Sequence, residues 1–71
     1  MTRAVVLIRS PKTMTSSQVK KIDGVEDAFD VSGRFDAIAL INVVDLPAVK
    51  EMALKIQAIK GVRRTETLIE I

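Results

Sequence analysis

The sequence predicts an α+β domain, strand–helix–strand twice over, and two internal echoes predict it. Ala4-Val5-Val6-Leu7-Ile8 is answered by Ala37-Ile38-Ala39-Leu40-Ile41, and Ile22-Asp23-Gly24-Val25 by Ile59-Lys60-Gly61-Val62. In each half an apolar, strand-like run precedes a polar stretch, then Ile-x-Gly-Val, then a second β-prone run. The glycine reads as the left-handed residue that stops a helix, where a Cβ is penalised, and the flanking Ile and Val anchor the helix end and the next strand. Two such units in tandem make the βαββαβ, ferredoxin-like pattern.

The elements follow in order. Residues 3–9 are apolar on both faces and read as the first strand. Ser10-Pro11-Lys12-Thr13 is a loop, because proline disfavours helix at the residue before it. Thr15 or Ser16 caps a short helix that runs to Lys21-Ile22-Asp23 and stops at Gly24, with Met14, Val19 and Ile22 its sizeable apolar side chains. The second strand, Val25 to Ser32, alternates: Val25, Asp27, Phe29 and Val31 on one face, Glu26, Ala28, Asp30 and Ser32 on the other. Ser32-Gly33-Arg34-Phe35 turns the chain into the third strand, Asp36 to Val44. Asp45 is a good N-cap, with Pro47 tolerated in the first turn. The helix it opens runs to Lys60, with Val49, Met52, Ala53, Ile56 and Ile59 as its apolar stripe. Glu51 and Lys55 add an i,i+4 pair in the favourable order. The last strand is Val62 to Ile71. Residues 1–71 thus read as one domain.

Strand composition predicts the order in the sheet. The first and third strands are apolar on both faces, which suits the sheet interior. The second carries Glu26, Asp27 and Asp30, and the fourth Arg64, Glu66 and Glu70, which suits the edges. The predicted order is 4-1-3-2, antiparallel. Two helices cover only one face of such a sheet, so the other is expected to meet a second subunit rather than stay as an exposed apolar patch. Small size points the same way: 71 residues with 48% hydrophobic side chains make a marginal domain, and a chain without a staple commonly gains stability by association.

Composition also bounds the chemistry. Cys and His are both absent, which excludes disulfides, iron–sulfur clusters and Cys/His zinc sites; no metal and no cofactor is expected. With no His, Cys or Tyr, and no GxxxxGK[ST] or GxGxxG phosphate loop, no catalytic residue is assigned. The carboxylates Asp27 and Asp30 read as solvated edge-strand charges. Direct nucleic-acid binding is not expected either. The only aromatics are Phe29 and Phe35, the central strands are aliphatic, and Lys20-Lys21 and Arg63-Arg64 are short basic pairs rather than a stripe, with a net charge of +2. No apolar run approaches the roughly 20 residues of a membrane span. No signal-type apolar core precedes the first strand, so a cytoplasmic protein is expected.

One segment becomes specific in combination. Val31-Ser32-Gly33-Arg34-Phe35-Asp36, an aliphatic strand, Asp45-Leu46, an amphipathic helix, Ile59-Lys60-Gly61-Val62 and Thr65-Glu66-Thr67 together resemble the effector-binding (RAM) domain of the Lrp/AsnC transcription regulators. In that family the hairpin reads Val-Thr-Gly-x-Tyr/Phe-Asp and the end reads Ile-x-Gly-Val-x-x-Thr-x-Thr. The match covers residues 22–71 well and the first strand acceptably; the first helix is shorter and less apolar than usual. No helix-turn-helix precedes the first strand, so the chain resembles a stand-alone form of the domain.

The resemblance implies a dimer made by packing sheets, assembled into a ring of dimers, with an amino-acid effector bound between neighbouring dimers. It implies an effector site built from Gly33, Arg34, Phe35, Asp36, Thr65 and Thr67. Asp36 would receive the ammonium group, Gly33 would give close backbone approach, Arg34 could hold a carboxylate, and the threonines could lend hydroxyls from a neighbouring subunit. It implies no enzyme activity, but regulation by co-assembly with full-length Lrp/AsnC-type regulators. Against it stands the plainer reading that Gly33 and Asp36 serve the turn and that strand threonines are ordinary β-formers. Two other functions fit the same elements. A small dimeric α/β-barrel enzyme would have Asn42 as its one pocket-type residue, and an ACT-type amino-acid-binding domain would normally carry a glycine where Ser10-Pro11-Lys12-Thr13 stands.

Overall fold

A computed structural model describes residues 1–11 and 15–71; the expected loop residues Lys12 and Thr13 and the helix residue Met14 lie outside them. The elements are β1 (Thr2–Arg9), α1 (Thr15–Lys20), β2 (Val25–Asp30), β3 (Ala37–Val43), α2 (Leu46–Gln57) and β4 (Arg64–Ile69). The four strands form one sheet in the order β2-β3-β1-β4, every neighbouring pair antiparallel. This is the order the strand composition predicts, read from the other edge.

One face of the sheet carries the core. Ala4, Val6 and Ile8 of β1 alternate inward with Ala37, Ala39 and Ile41 of β3, and all six are buried. Against them lie Val19 of α1 and Val49, Met52 and Ile56 of α2. The alanines of β3 leave room for the helices to sit close, while the larger Val and Ile side chains fill the space between. Each fully buried Val or Ile contributes about 1.5–3 kcal/mol relative to exposure.

Asp45 opens α2 as expected: its backbone is extended and its Oδ1 accepts the Ala48 N–H at 3.0 Å. The helix ends at Gln57, short of the expected Lys60. The chain there tightens into turns, with the Ile59 N–H donating to the Ile56 carbonyl at 3.1 Å and the Val62 N–H to the Ile59 carbonyl at 3.1 Å. The first half repeats the device: Ile22 N–H to Val19 carbonyl at 3.0 Å, then Val25 N–H to Ile22 carbonyl at 3.1 Å. Gly24 and Gly61 hold φ of +100° and +99° at the third position of these turns. The Ile-x-Gly-Val echo is therefore a four-residue turn just beyond each helix, not the helix stop itself. Its Ile and Val side chains do anchor the chain: Ile22, Val25, Ile59 and Val62 all pack against the core.

The faces of β2 depart from the expected alternation. Val25 pairs with Ile41 and Asp27 with Leu40, so an irregularity between Val25 and Asp27 inserts one extra residue. A bulge of this kind shifts the parity of the strand. Val25 consequently packs against the core with Ala28, while Asp27 and Phe29 occupy the other face.

That other face is open. Register places Phe29, Ile38, Leu7 and Glu66 in one row across the sheet and Asp27, Leu40, Val5 and Leu68 in the next. Phe29 and Leu68 are 42% and 51% exposed. Beyond them Asn42 donates from Nδ2 to Glu26 Oε1 at 3.3 Å, and Arg3 meets Glu70 at 3.8 Å. The Asn42 Oδ1 is buried and takes no hydrogen bond among the described residues. A depression of about 250 Å³ lies between Val5, Leu40 and Leu68, with Arg3, Glu26 and Glu70 beside it.

Candidate functional site

The expected site residues fall at the end of the sheet where β1 finishes, β3 begins and β4 begins. The strands stop earlier than expected, β2 at Asp30 and β3 starting at Ala37, but the connection stays closed by the Val31 N–H donating to the Asp36 carbonyl at 2.9 Å. The Asp36 N–H in turn donates to the Ile8 carbonyl at 2.8 Å, tying the base of the hairpin to β1. Gly33, exposed at the tip, has a φ of +128° and open space where a Cβ would stand. Backbone conformation, not crowding, is what calls for glycine there.

Asp36 sits at the centre of this end. Its Oδ2 accepts the Ser10 N–H at 2.8 Å and lies 3.9 Å from Arg9 Nε. The Asp36 Oδ1 takes no hydrogen bond among the described residues. The carboxylate is thus held by one oxygen with the other available. The plainer reading of Asp36 as a turn residue is partly met: it binds backbone, but the backbone of β1 rather than of its own turn.

Ser10 explains why Asp36 is held. The residue is only 2% exposed. Its hydroxyl donates to the Gly61 carbonyl at 3.0 Å and lies 2.9 Å from Thr15 Oγ1. A hydroxyl has a single hydrogen, so with Ser10 donating to Gly61 it is Thr15 that donates to Ser10. One buried serine therefore joins the end of β1, the start of α1, the α2–β4 turn and, through its N–H, the start of β3.

Two arginines complete the end of the sheet. Arg9 Nη1 donates to the Arg34 carbonyl at 3.0 Å, and the Arg64 guanidinium lies over the Phe35 ring, 5.9 Å from its centroid. Arg9 and Arg64 are register partners on adjacent strands. Consecutive residues Arg34, Phe35 and Asp36 are thus each met by an arginine from β1 or β4. Arg34 itself is exposed.

The threonines belong to the opposite face. Thr65 pairs with Ile8 and Thr67 with Val6, both core positions, so the two hydroxyls lie on the helix-covered side. Thr65 Oγ1 accepts from Gln57 Nε2 of α2 at 2.8 Å. Thr65 adjoins the Asp36 end of the sheet, whereas Thr67 lies about 7 Å further along β4. The structure accordingly brings Gly33, Arg34, Phe35 and Asp36 together and sets Thr65 and Thr67 behind them. Arg9, Ser10 and Arg64 are absent from the sequence-derived site. Ser10 reads as a loop residue, and Arg9 and Arg64 meet only through strand register, which no local spacing encodes. Among the described residues, no group of three or more His, Cys, Asp or Glu side chains could hold a metal ion, and no helix is long and apolar enough to cross a membrane.

Residues 3–71 match the Lrp/AsnC ligand-binding domain. The chain belongs to this family. A protein of Thermus thermophilus is similar at 28% identity and a TM-score of 0.91, the alignment covering 100% of this chain and 94% of that one. A hypothetical protein of Pyrococcus horikoshii follows at 21% identity, TM-score 0.86, with 100% and 90% covered. A feast or famine regulatory protein of M. tuberculosis, complexed with L-methionine, shares the fold at 21% identity and TM-score 0.83. This chain spans 50% of that regulator's length. No curated protein sequence matches the chain. Of the features that carry the resemblance in the sequence, the Gly33 hairpin and the Ile59–Val62 turn stand at the Asp36 end of this Lrp/AsnC domain, and the Asp45 cap stands at the opposite end of the sheet. The family is a ligand-binding one rather than an enzyme family.

Proposed function

We propose that this Lrp/AsnC domain binds an amino acid at the Asp36 end of its sheet and assembles through its open face, modulating transcription regulators of the same family by co-assembly. The observation that carries the reading is the state of Asp36: one carboxylate oxygen is locked to β1, the other is unused at a solvent-reached surface. A carboxylate fixed in this way is preorganised for an ammonium group, because the side chain has little rotamer freedom left to lose on binding. The hairpin residues Gly33, Arg34 and Phe35, adjacent to Asp36 in the chain, are the expected remainder of the site. Thr65 and Thr67, facing the helices, act from behind the strand or serve a neighbouring subunit.

The apolar character of the open face supports the assembly. Val5, Leu7, Ile38, Leu40, Phe29 and Leu68 form an apolar centre edged by charged residues, the anatomy of a protein interface. A second copy laid on it would bury the apolar centre. Dimers joined edge to edge into a ring would place a second subunit against the Asp36 end.

A thermal-shift screen against the twenty amino acids tests the binding; a ligand at 100 times its Kd raises stability by about 2.7 kcal/mol. Calorimetry on Asp36→Ala then separates the roles of that residue. Loss of a charged partner costs about 2–5 kcal/mol of binding, 30-fold or more. Unaltered affinity in a variant with only a lowered melting temperature would remove Asp36 from the site.

A further inference from the structure

The arginines around the hairpin exceed the negative charge that faces them. Arg9, Arg34, Arg63 and Arg64 gather at this end of the sheet, and Asp36 is the one carboxylate that any of them meets within 4.0 Å among the described residues. That contact is long, at 3.9 Å, and the same oxygen already accepts the Ser10 N–H. Glu66 stands two residues along β4, opposite Leu7, and Asp30 stands across the sheet opposite Ala37; neither pairs with these arginines.

Arg9 and Arg64 are the anomaly. As register partners on antiparallel strands they bring two positive side chains to one level of the sheet, Cα atoms about 5 Å apart. Like charges directly opposite one another destabilise a sheet. Both side chains are exposed, yet each has a contact: Arg9 is tethered to the Arg34 carbonyl, and the Arg64 guanidinium lies over Phe35. A repulsive pair held in place in this way suits an anion that binds both. Guanidinium is the group that grips carboxylates through two parallel hydrogen bonds.

We propose that the effector is an acidic amino acid, its ammonium group on Asp36 Oδ1 and its two carboxylates taken by the guanidinium groups of Arg9, Arg64 and Arg34. The proposal rests on the amino-acid reading above and narrows it. A neutral amino acid brings one carboxylate and one ammonium, which leaves the excess positive charge of this end unmet. Glutamate or aspartate brings one carboxylate more. L-glutamine, with the shape of glutamate and no second charge, is therefore the decisive comparison.

Calorimetry on the assembled protein with L-glutamate, L-glutamine and L-leucine tests this. Glutamate should bind roughly tenfold or more tighter than glutamine, a difference of about 1.4 kcal/mol. Arg64→Gln should erase that preference while light scattering shows the assembly unchanged. Lys50→Gln, which removes the same charge from the exposed side of α2, should preserve the preference. Glutamine or leucine binding as tightly as glutamate overturns the acidic effector and leaves amino-acid binding standing. A glutamate preference that survives Arg64→Gln overturns the assignment of a carboxylate to Arg64. No heat from any of the twenty amino acids overturns the acidic effector and the amino-acid reading together.

Discussion

Replacing Ser10 by alanine should test how this domain holds the Asp36 end of its sheet together. The substitution removes one oxygen from a site that is 2% exposed, and with it the bonds to the Gly61 carbonyl and the Thr15 hydroxyl. Two hydrogen bonds are worth about 2 kcal/mol together, and a partly buried acceptor left unsatisfied at Gly61 adds about 1 kcal/mol. The expected loss is therefore about 3 kcal/mol. A 71-residue domain has on the order of 4–11 kcal/mol in total, so this single hydroxyl carries a large share. At about 4–8 °C per kcal/mol for a chain of this size, the melting temperature should fall by about 12 °C or more. The chain has no Trp or Tyr, so unfolding is followed by far-ultraviolet circular dichroism in urea and on heating. Protein concentration is held constant, because association contributes to apparent stability. The Ser10 N–H is kept in the variant, so Asp36 stays anchored and ligand affinity at a temperature where the variant is folded should be near normal. Ser17→Ala, on the exposed side of α1, is the control and should change stability by less than about 0.5 kcal/mol. A Ser10→Ala midpoint indistinguishable from that control would refute the reasoning that the Ser10 hydroxyl ties β1 to α1 and to the α2–β4 turn.

Three further outcomes follow from the same structure. Leu40→Glu, at the centre of the open face, should prevent the proposed dimer from forming in light scattering while leaving the circular dichroism of the fold, since the charge meets solvent in a monomer but no partner in an interface. Asp45→Ala removes the bond to the Ala48 N–H and should lower stability by about 1 kcal/mol in urea unfolding, with an unchanged m-value. Gly24→Ala should cost more than the roughly 1–2 kcal/mol of a left-handed backbone, because a Cβ there meets the Met52 side chain at 3.2 Å as well. Equal losses for Gly24→Ala and a backbone-only estimate would show that Met52 moves aside.

The parts of the fold that were legible in the sequence are those governed by short-range rules. The doubly apolar runs Ala4 to Ile8 and Ala37 to Ile41 marked β1 and β3 and the sheet interior, and Asp45 marked the start of α2. These follow from local sterics, capping and the period of the side chains, so neighbouring residues suffice to read them. The hairpin from Gly33 to Asp36 was legible for the same reason, as a compact motif with a required backbone conformation.

Tertiary structure alone decided the rest. The bulge near Glu26, which turns Val25 into the core and Asp27 out of it, depends on how β2 meets β3. The meeting of Arg9 with Arg64, and the turning of Thr65 and Thr67 toward α2, depend on the register of β4 against β1, across more than fifty residues of chain. The role of Ser10 is set by Asp36, Thr15 and Gly61, three partners from three different parts of the fold. By itself this sequence determined which segments are strands and helices and which of them lie inside. Which side chains share the Asp36 end was determined by strand pairing, because register is fixed by packing of the whole sheet against its helices and not by any residue's neighbours in the chain.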